Sequence, residues 1–225
     1  MFDRQDLPAY LPVVGYRLLI AFAFLEFVLE PRTIARLQLP EPPLGLLMFV
    51  RLGLVIWLVP RFARIDTSML GFRRWREWTK TERSYLVQVL AIAGIVLTLV
   101  LAPQWGQTLA RHGWTSVVWA GLLPYFAFGF YQEVAYRGIL QTELVRHWGG
   151  PLGILVSNTL YAFGPIHADY YALPPSTAVP LFLSVFSIGM LFALVFRRSR
   201  NLWIVALMHG TGNALIAVGM GNLAF

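Results

Sequence analysis

Apolar runs of close to 20 residues recur along this chain, separated by short polar or basic stretches. A helix rising 1.5 Å per residue needs about that length to cross a hydrocarbon core of ~30 Å. The pattern predicts seven spans, at about 11–29, 44–60, 84–102, 115–147, 151–168, 178–196 and 201–220, the fourth broken near Pro124. Pro12, Pro124 and Pro151 suit first-turn positions, where a missing N–H is not needed. The expected fold is all-α, a polytopic transmembrane helical bundle forming one integral-membrane domain over residues 1–225. The linker 61–83 is basic and carries Phe62, Phe72, Trp75 and Trp78, so it is expected to lie along the headgroup layer as an interfacial helix.

Composition agrees with the pattern. The 225 residues are 57% hydrophobic and 13% charged, where a soluble domain carries about 25% charge. The net charge of +7 does not call for a nucleic-acid partner, because Arg and Lys collect in the cytoplasmic loops of membrane proteins. With the linker placed inside, 12 of the basic side chains fall on inner segments. Arg32, Arg36 and Arg111 fall outside, and Arg17, Arg51 and Arg137 lie within spans. That bias puts the N-terminus in the cytoplasm and the C-terminus outside. The start, "MFDRQDLPAY", lacks the basic and apolar order of a signal peptide. Cysteine is absent, which removes disulfides, thiol nucleophiles and thiolate metal sites.

Three polar groupings interrupt the later spans: "QEVAYR" (132–137), "FGPIH" (163–167) and "HGTGN" (209–213). In each, two residues stand four apart: Glu133 and Arg137, Phe163 and His167, His209 and Asn213. On a helix that spacing shares one face. Counted from the inner ends of their spans, Glu133, Arg137, His167, His209 and Asn213 lie at about 21, 15, 24, 12 and 18 Å. Within the blur of tilt and fraying, all fall between the midplane and the outer third of the core. They can therefore meet. A shared site for a reaction or for transport is one reading, and a polar network that holds helices together is the other.

The three groupings resemble the signature of the CAAX protease and bacteriocin-processing family of glutamic-type intramembrane endopeptidases. That signature reads Glu-Glu-x-x-x-Arg, Phe-x-x-x-His and His-x-x-x-Asn, in this order. Here it appears as Gln132-Glu133 with Arg137, Phe163 with His167, and His209 with Asn213. The resemblance covers about 115–220, with 1–114 supplying N-terminal helices and the linker, and it implies a four-helix catalytic core. It implies a peptidase acting on a membrane-anchored protein or peptide near its C-terminus, in the bilayer, without nucleic acid. It also implies a bacterial inner-membrane setting. Position 132 would carry the base that activates water, with Glu133 and Arg137 organising the site. His167 would hold the water, and His209 and Asn213 would stabilise the oxyanion. Phe163 would contact substrate.

The first position of the signature departs from the pattern. Gln132 is nearly isosteric with Glu but neutral, so it does not take a proton from water. Low or absent hydrolysis is expected. Three explanations stand: an inactivating substitution, a natural pseudo-enzyme that binds without cutting, or Glu133 serving as base after a helix rotation. No cofactor is expected. The alternative is a zinc site built from Glu133, His167 and His209. A small-solute transporter and a non-catalytic scaffold or immunity protein are the competing classes. Outside the signature, Glu26 and Arg51 are expected to form a structural ion pair. "ADYYALPPST" (168–177) is expected to be an outer loop with interfacial Tyr anchors or a gate. His112 and His147 look incidental. The glycines of "HGTGN" either let helices approach or leave room for a substrate backbone.

Overall fold

The computed structural model describes residues 7–29, 34, 38 and 43–224, without the side chains of 7–14. Arg4, Arg32 and Arg36, three of the charges used to orient the chain, lie outside the described residues. So do residues 1–6.

Helix α1 runs Leu7–Ala23 and closes in a π turn, Phe24–Val28. Helix α2 starts as Leu44–Gly53, passes a π turn at Leu54–Leu58 and ends as Val59–Ala63. Helix α3 is Lys80–Ser116. Helix α4 follows as a π turn (Val117–Leu122), an α segment (Leu123–Glu133), a π segment (Val134–Gln141) and a last α segment (Thr142–Trp148). Helices α5, α6 and α7 are Gly150–Phe163, Pro175–Ser199 and Leu202–Gly219. No strand occurs among the described residues. Among the described residues, four stretches are long and apolar enough to cross a membrane: Leu44–Ala63, Lys80–Trp148, Pro175–Ser199 and Leu202–Gly219. The second, of 69 residues, holds both α3 and α4. This is a helical integral membrane protein.

Helix α3 begins where Thr79 and Glu82 cap each other. The Glu82 N–H donates to Thr79 Oγ1 at 3.1 Å, and the Thr79 N–H donates to Glu82 Oε2 at 2.7 Å. Its aliphatic side chains, among them Ile92, Ile95, Leu99 and Val100, are left uncovered by protein. That is the surface lipid covers. Helix α4 is the opposite case: every residue from 129 to 139 is buried. A helix buried on all sides must be central.

Close packing of α4 on α7 depends on two glycines. A Cβ on Gly129 would meet the Gly210 backbone at 2.8 Å, and one on Gly210 would meet the Phe126 carbonyl oxygen at 2.8 Å. Only a side chain of one hydrogen lets these backbones touch.

Several boundaries differ from the sequence expectation. Helix α1 begins at Leu7, so Pro8 rather than Pro12 occupies its first turn. Helix α3 continues through Pro103 to a bend at Gly113 instead of ending near residue 102. Helix α4 is not broken at Pro124, because the preceding π turn places that proline in the first turn of the next α segment. The chain bends at Gly113 instead, where φ is 72°, a conformation glycine adopts without penalty.

The linker is not an interfacial helix. It holds two 3₁₀ turns, Thr67–Leu70 and Trp75–Glu77. It is docked on the bundle: the Leu202 N–H donates to the Gly71 carbonyl at 2.8 Å, Phe72 packs on Phe130 and Trp203, and Trp78 is buried against Leu86 and Ile204. Main-chain bonds and aromatic burial on the bundle, not local amphipathicity, set its conformation.

Candidate active site

Three consecutive residues of α4 point three ways. Tyr131 hydrogen-bonds Glu26 and Arg51 on α1 and α2. Gln132 faces a cavity of about 480 Å³. Glu133 is fully buried, at 0% exposure, and turns toward α7.

Glu133 Oε1 lies 2.6 Å from His209 Nδ1. An ionised carboxylate only accepts, so this contact puts the hydrogen on Nδ1. Glu133 Oε2 lies 3.4 Å from Arg137 Nε, within ion-pair reach but outside hydrogen-bond geometry. Arg137 is 1% exposed. Its Nη2 donates to the Gly189 carbonyl at 2.9 Å and to Asn158 Oδ1 at 3.4 Å. Its guanidinium carbon sits 4.1 Å from the Tyr161 ring centre. A buried cation needs this degree of pairing to be tolerated. Arg137 stands in the Val134–Gln141 π segment; such segments occur often at functional sites.

The cavity wall holds Gln132, His167, His209 and Asn213 together, with Tyr161, Tyr170 and Phe192 among the aromatic lining. Asn213 Nδ2 donates to Gln132 Oε1 at 3.3 Å. His167 Nδ1 lies 2.9 Å from the Tyr161 carbonyl. That carbonyl is an acceptor only, so Nδ1 carries the hydrogen there too. Both cavity histidines thus keep Nε2 as their remaining polar ring atom.

The 163–167 grouping meets the site differently from the other two. Helix α5 ends at Phe163, Gly164 is extended, and Pro165 starts a 3₁₀ segment, Pro165–Ala172, in which His167 itself leaves helical geometry at φ −117°. A Cβ on Gly164 would strike the Leu160 carbonyl oxygen at 2.1 Å, so the turn requires glycine. Phe163 and His167 therefore do not share a helical face. Phe163 stacks on Phe182 at 5.1 Å and tilts against Phe186. It is absent from the cavity wall, which takes Ile166, His167, Asp169 and Tyr170 from the 3₁₀ segment. The 168–177 stretch is ordered as the remainder of the 3₁₀ segment and the start of α6. The Tyr171 hydroxyl donates to the Phe163 carbonyl at 2.8 Å.

The zinc alternative names Glu133, His167 and His209. Among the described residues no group of three His, Asp or Glu side chains is placed to share a metal ion. Glu133 and His209 instead pair with each other, and His167 Nδ1 is held by a main-chain oxygen. His147 lies 3.6 Å from Glu143 at the end of α4, away from the cavity.

The two glycines of "HGTGN" divide the tasks open in the sequence. Gly210 is the close-packing residue, while a Cβ on Gly212 would meet nothing within 4 Å, and Gly212 lines the cavity. Sequence reading passed over Tyr161, which carries Arg137 on its ring and packs edge-on against both His167 and His209. It also passed over Asn158, which bridges Arg137 to the Phe186 carbonyl on α6. A lone Asn in an apolar run was a signal available for the second.

No curated protein and no solved structure matched the chain. A family comparison did: residues 114–215, just under half of the chain, match type II CAAX prenyl endopeptidase Rce1-like proteins. That segment contains every residue of the three groupings and most of α4–α7. The segment is similar to the Rce1-like domain of the CAAX endopeptidase family, and the helices that build this site are the ones that carry the likeness.

Proposed function

We propose that the chain is an intramembrane endopeptidase fold that cuts a peptide bond close to a membrane anchor of a protein substrate, near its C-terminus. The observation that carries this reading is the division at residues 132 and 133. Gln132, His167, His209 and Asn213 line one cavity, and Glu133 and Arg137 lie behind it. A carboxylate at position 132 would take a proton from water held in the cavity. Asn213, already bonded to that side chain, would orient it. His167 Nε2 offers a second contact to the water. His209 Nε2 would face the developing oxyanion, with Glu133 fixing its ring and Arg137 balancing the charge of Glu133. No step requires a metal.

Gln132 removes the base and leaves the rest of the wall in place. The chain as it stands would bind an anchored peptide and hydrolyse it poorly. That favours a second reading, a non-catalytic membrane binder or immunity protein using the same cavity. The charge bias and the depth of the site support a cytoplasmic N-terminus and substrates presented from the outer half of a bacterial inner membrane.

The test incubates the Gln132→Glu protein, in bilayers, with peptides ending in a lipidated cysteine and with peptides ending in a transmembrane anchor. Products are read by mass spectrometry and bound zinc by elemental analysis. Cleavage near the anchor by metal-free protein is the expected result. No cleavage of either class by the Gln132→Glu protein would overturn the enzymatic reading, and activity that tracks bound zinc would overturn the metal-free one.

A further inference from the structure

A second cavity, of about 550 Å³, opens where the N-terminus of α3, the C-terminus of α6 and the linker meet. Its polar wall carries Arg73 and Arg198 with the hydroxyl residues Thr79, Thr81 and Ser199. Its remaining lining is Glu82, which is paired with Arg73, and the apolar or amphipathic Val195, Ile204 and Tyr85. None of these residues belongs to the peptidase wall.

Arg73 is held in place from three directions. Its Nη1 donates to Glu82 Oε1 at 3.1 Å and to the Ser199 carbonyl at 3.3 Å, and its Nη2 donates to the Glu77 carbonyl. It thereby ties linker, α3 and α6 together and fixes the pocket's shape. Arg198 and Thr81 are exposed at the rim. Nearby, the exposed Trp75 stacks beneath Arg83 at 4.9 Å, an amphipathic pair suited to the membrane–water boundary. The start of α3 and the end of α6, both in stretches long and apolar enough to cross a membrane, meet here, which is where a headgroup layer would lie.

We infer that this pocket binds the phosphodiester headgroup of an anionic phospholipid. The arginines and hydroxyls supply charge-assisted and neutral donors to phosphate oxygens. The apolar side, continuous with the lipid-facing surface of α3, accommodates the start of an acyl chain. A free phosphate would use only the polar half of the pocket. With the charge of Arg73 offset by Glu82, Arg198 supplies the net positive charge, from which an uncharged or zwitterionic headgroup would gain less.

The full chain is purified from nanodiscs of phosphatidylcholine containing a minor fraction of phosphatidylglycerol with the same acyl chains, and retained lipid is counted by native mass spectrometry. Thermal midpoints are measured with phosphatidylglycerol, phosphatidylcholine or inorganic phosphate. Phosphatidylglycerol should be retained several-fold above its bulk share. Arg198→Gln should lower that enrichment about fivefold, as loss of one basic contact implies. Thr81→Val should lower it less, and Arg111→Gln, at the far end of α3, should leave it unchanged. Thr81→Val keeps the inference testable if Arg198→Gln does not fold. Equal retention of the two lipids would overturn it. So would stabilisation by inorganic phosphate matching that by phosphatidylglycerol, or an equal loss with Arg111→Gln, which would mark general surface attraction.

Discussion

Tyr131 and Glu133 stand two residues apart on α4, yet each belongs to a different ion-paired cluster. Around Tyr131, Arg51 Nη2 lies 3.0 Å from Glu26 Oε2 and 3.2 Å from the Tyr131 hydroxyl. Tyr131 in turn donates to Glu26. The Arg51 guanidinium also covers the rings of Tyr131 and Phe128. None of its three polar side chains is in the wall of the peptidase cavity; Glu26 borders a separate, mostly apolar cavity of about 290 Å³. Around Glu133 the same ingredients, a carboxylate and an arginine over a tyrosine ring, are joined by His209, which opens on the cavity. A buried ion pair is therefore not itself a sign of chemistry. What separates the two clusters is that His209 opens on a cavity whose wall holds further polar groups, Gln132, His167 and Asn213, whereas Glu26 borders an otherwise mostly apolar one.

The sharpest way to break this contrast is to remove one member from each cluster in the Gln132→Glu protein. His209→Ala or His167→Ala should lower turnover by about 10²–10³-fold, the usual loss for a positioned transition-state donor. Arg51→Leu combined with Glu26→Leu should leave turnover within a few-fold. Equal losses in single-turnover assays would erase the distinction.

Stability should show the converse. Arg51→Leu alone leaves Glu26 buried without its cation and should cost about 3–5 kcal/mol. The Glu26→Leu, Arg51→Leu double replacement should recover most of that loss, as read by denaturant titration in detergent. A double variant no better than the single one would contradict the ion-pair assignment.

Two glycines sharpen the contrast at smaller scale. Gly210→Ala forces apart backbones that already touch and should destabilise by about 1–3 kcal/mol. Gly212→Ala adds a methyl to open space and should stay within about 0.5 kcal/mol. Any effect of the second should appear in turnover, because Gly212 lines the cavity. Matching thermal midpoints for the two variants would sink the division.

Much of the site was legible because charge stands out in an apolar run. Glu133, Arg137, His209 and Glu26 with Arg51 were all found that way. Spacing was a weaker guide. The same four-residue interval set His209 and Asn213 on one helix, but it spans a broken helix at Phe163 and His167. The Gly164-Pro165 dipeptide carried that break in plain view. Tyr131 and Tyr161 were not legible, since a chain that is 15% aromatic offers no contrast for one more ring. The acceptors for Arg137, Asn158 and Gln141, which are the carbonyls of Gly189, Phe186 and Ala193, carry no side-chain signal. The docking of the linker was missed because tertiary contacts, not local composition, decide it.

The central claim is that position 132 faces the cavity and position 133 faces away from it. The chain has no cysteine, so each introduced thiol is unique. Gln132→Cys and Glu133→Cys proteins, confirmed folded by size exclusion, are to be reacted in bilayers with a small charged methanethiosulfonate. Modification of the thiol at 132 at least about tenfold faster than at 133 is the expected result, because both positions are buried and only 132 lines the cavity. Equal rates, or faster modification at 133, would contradict the claim.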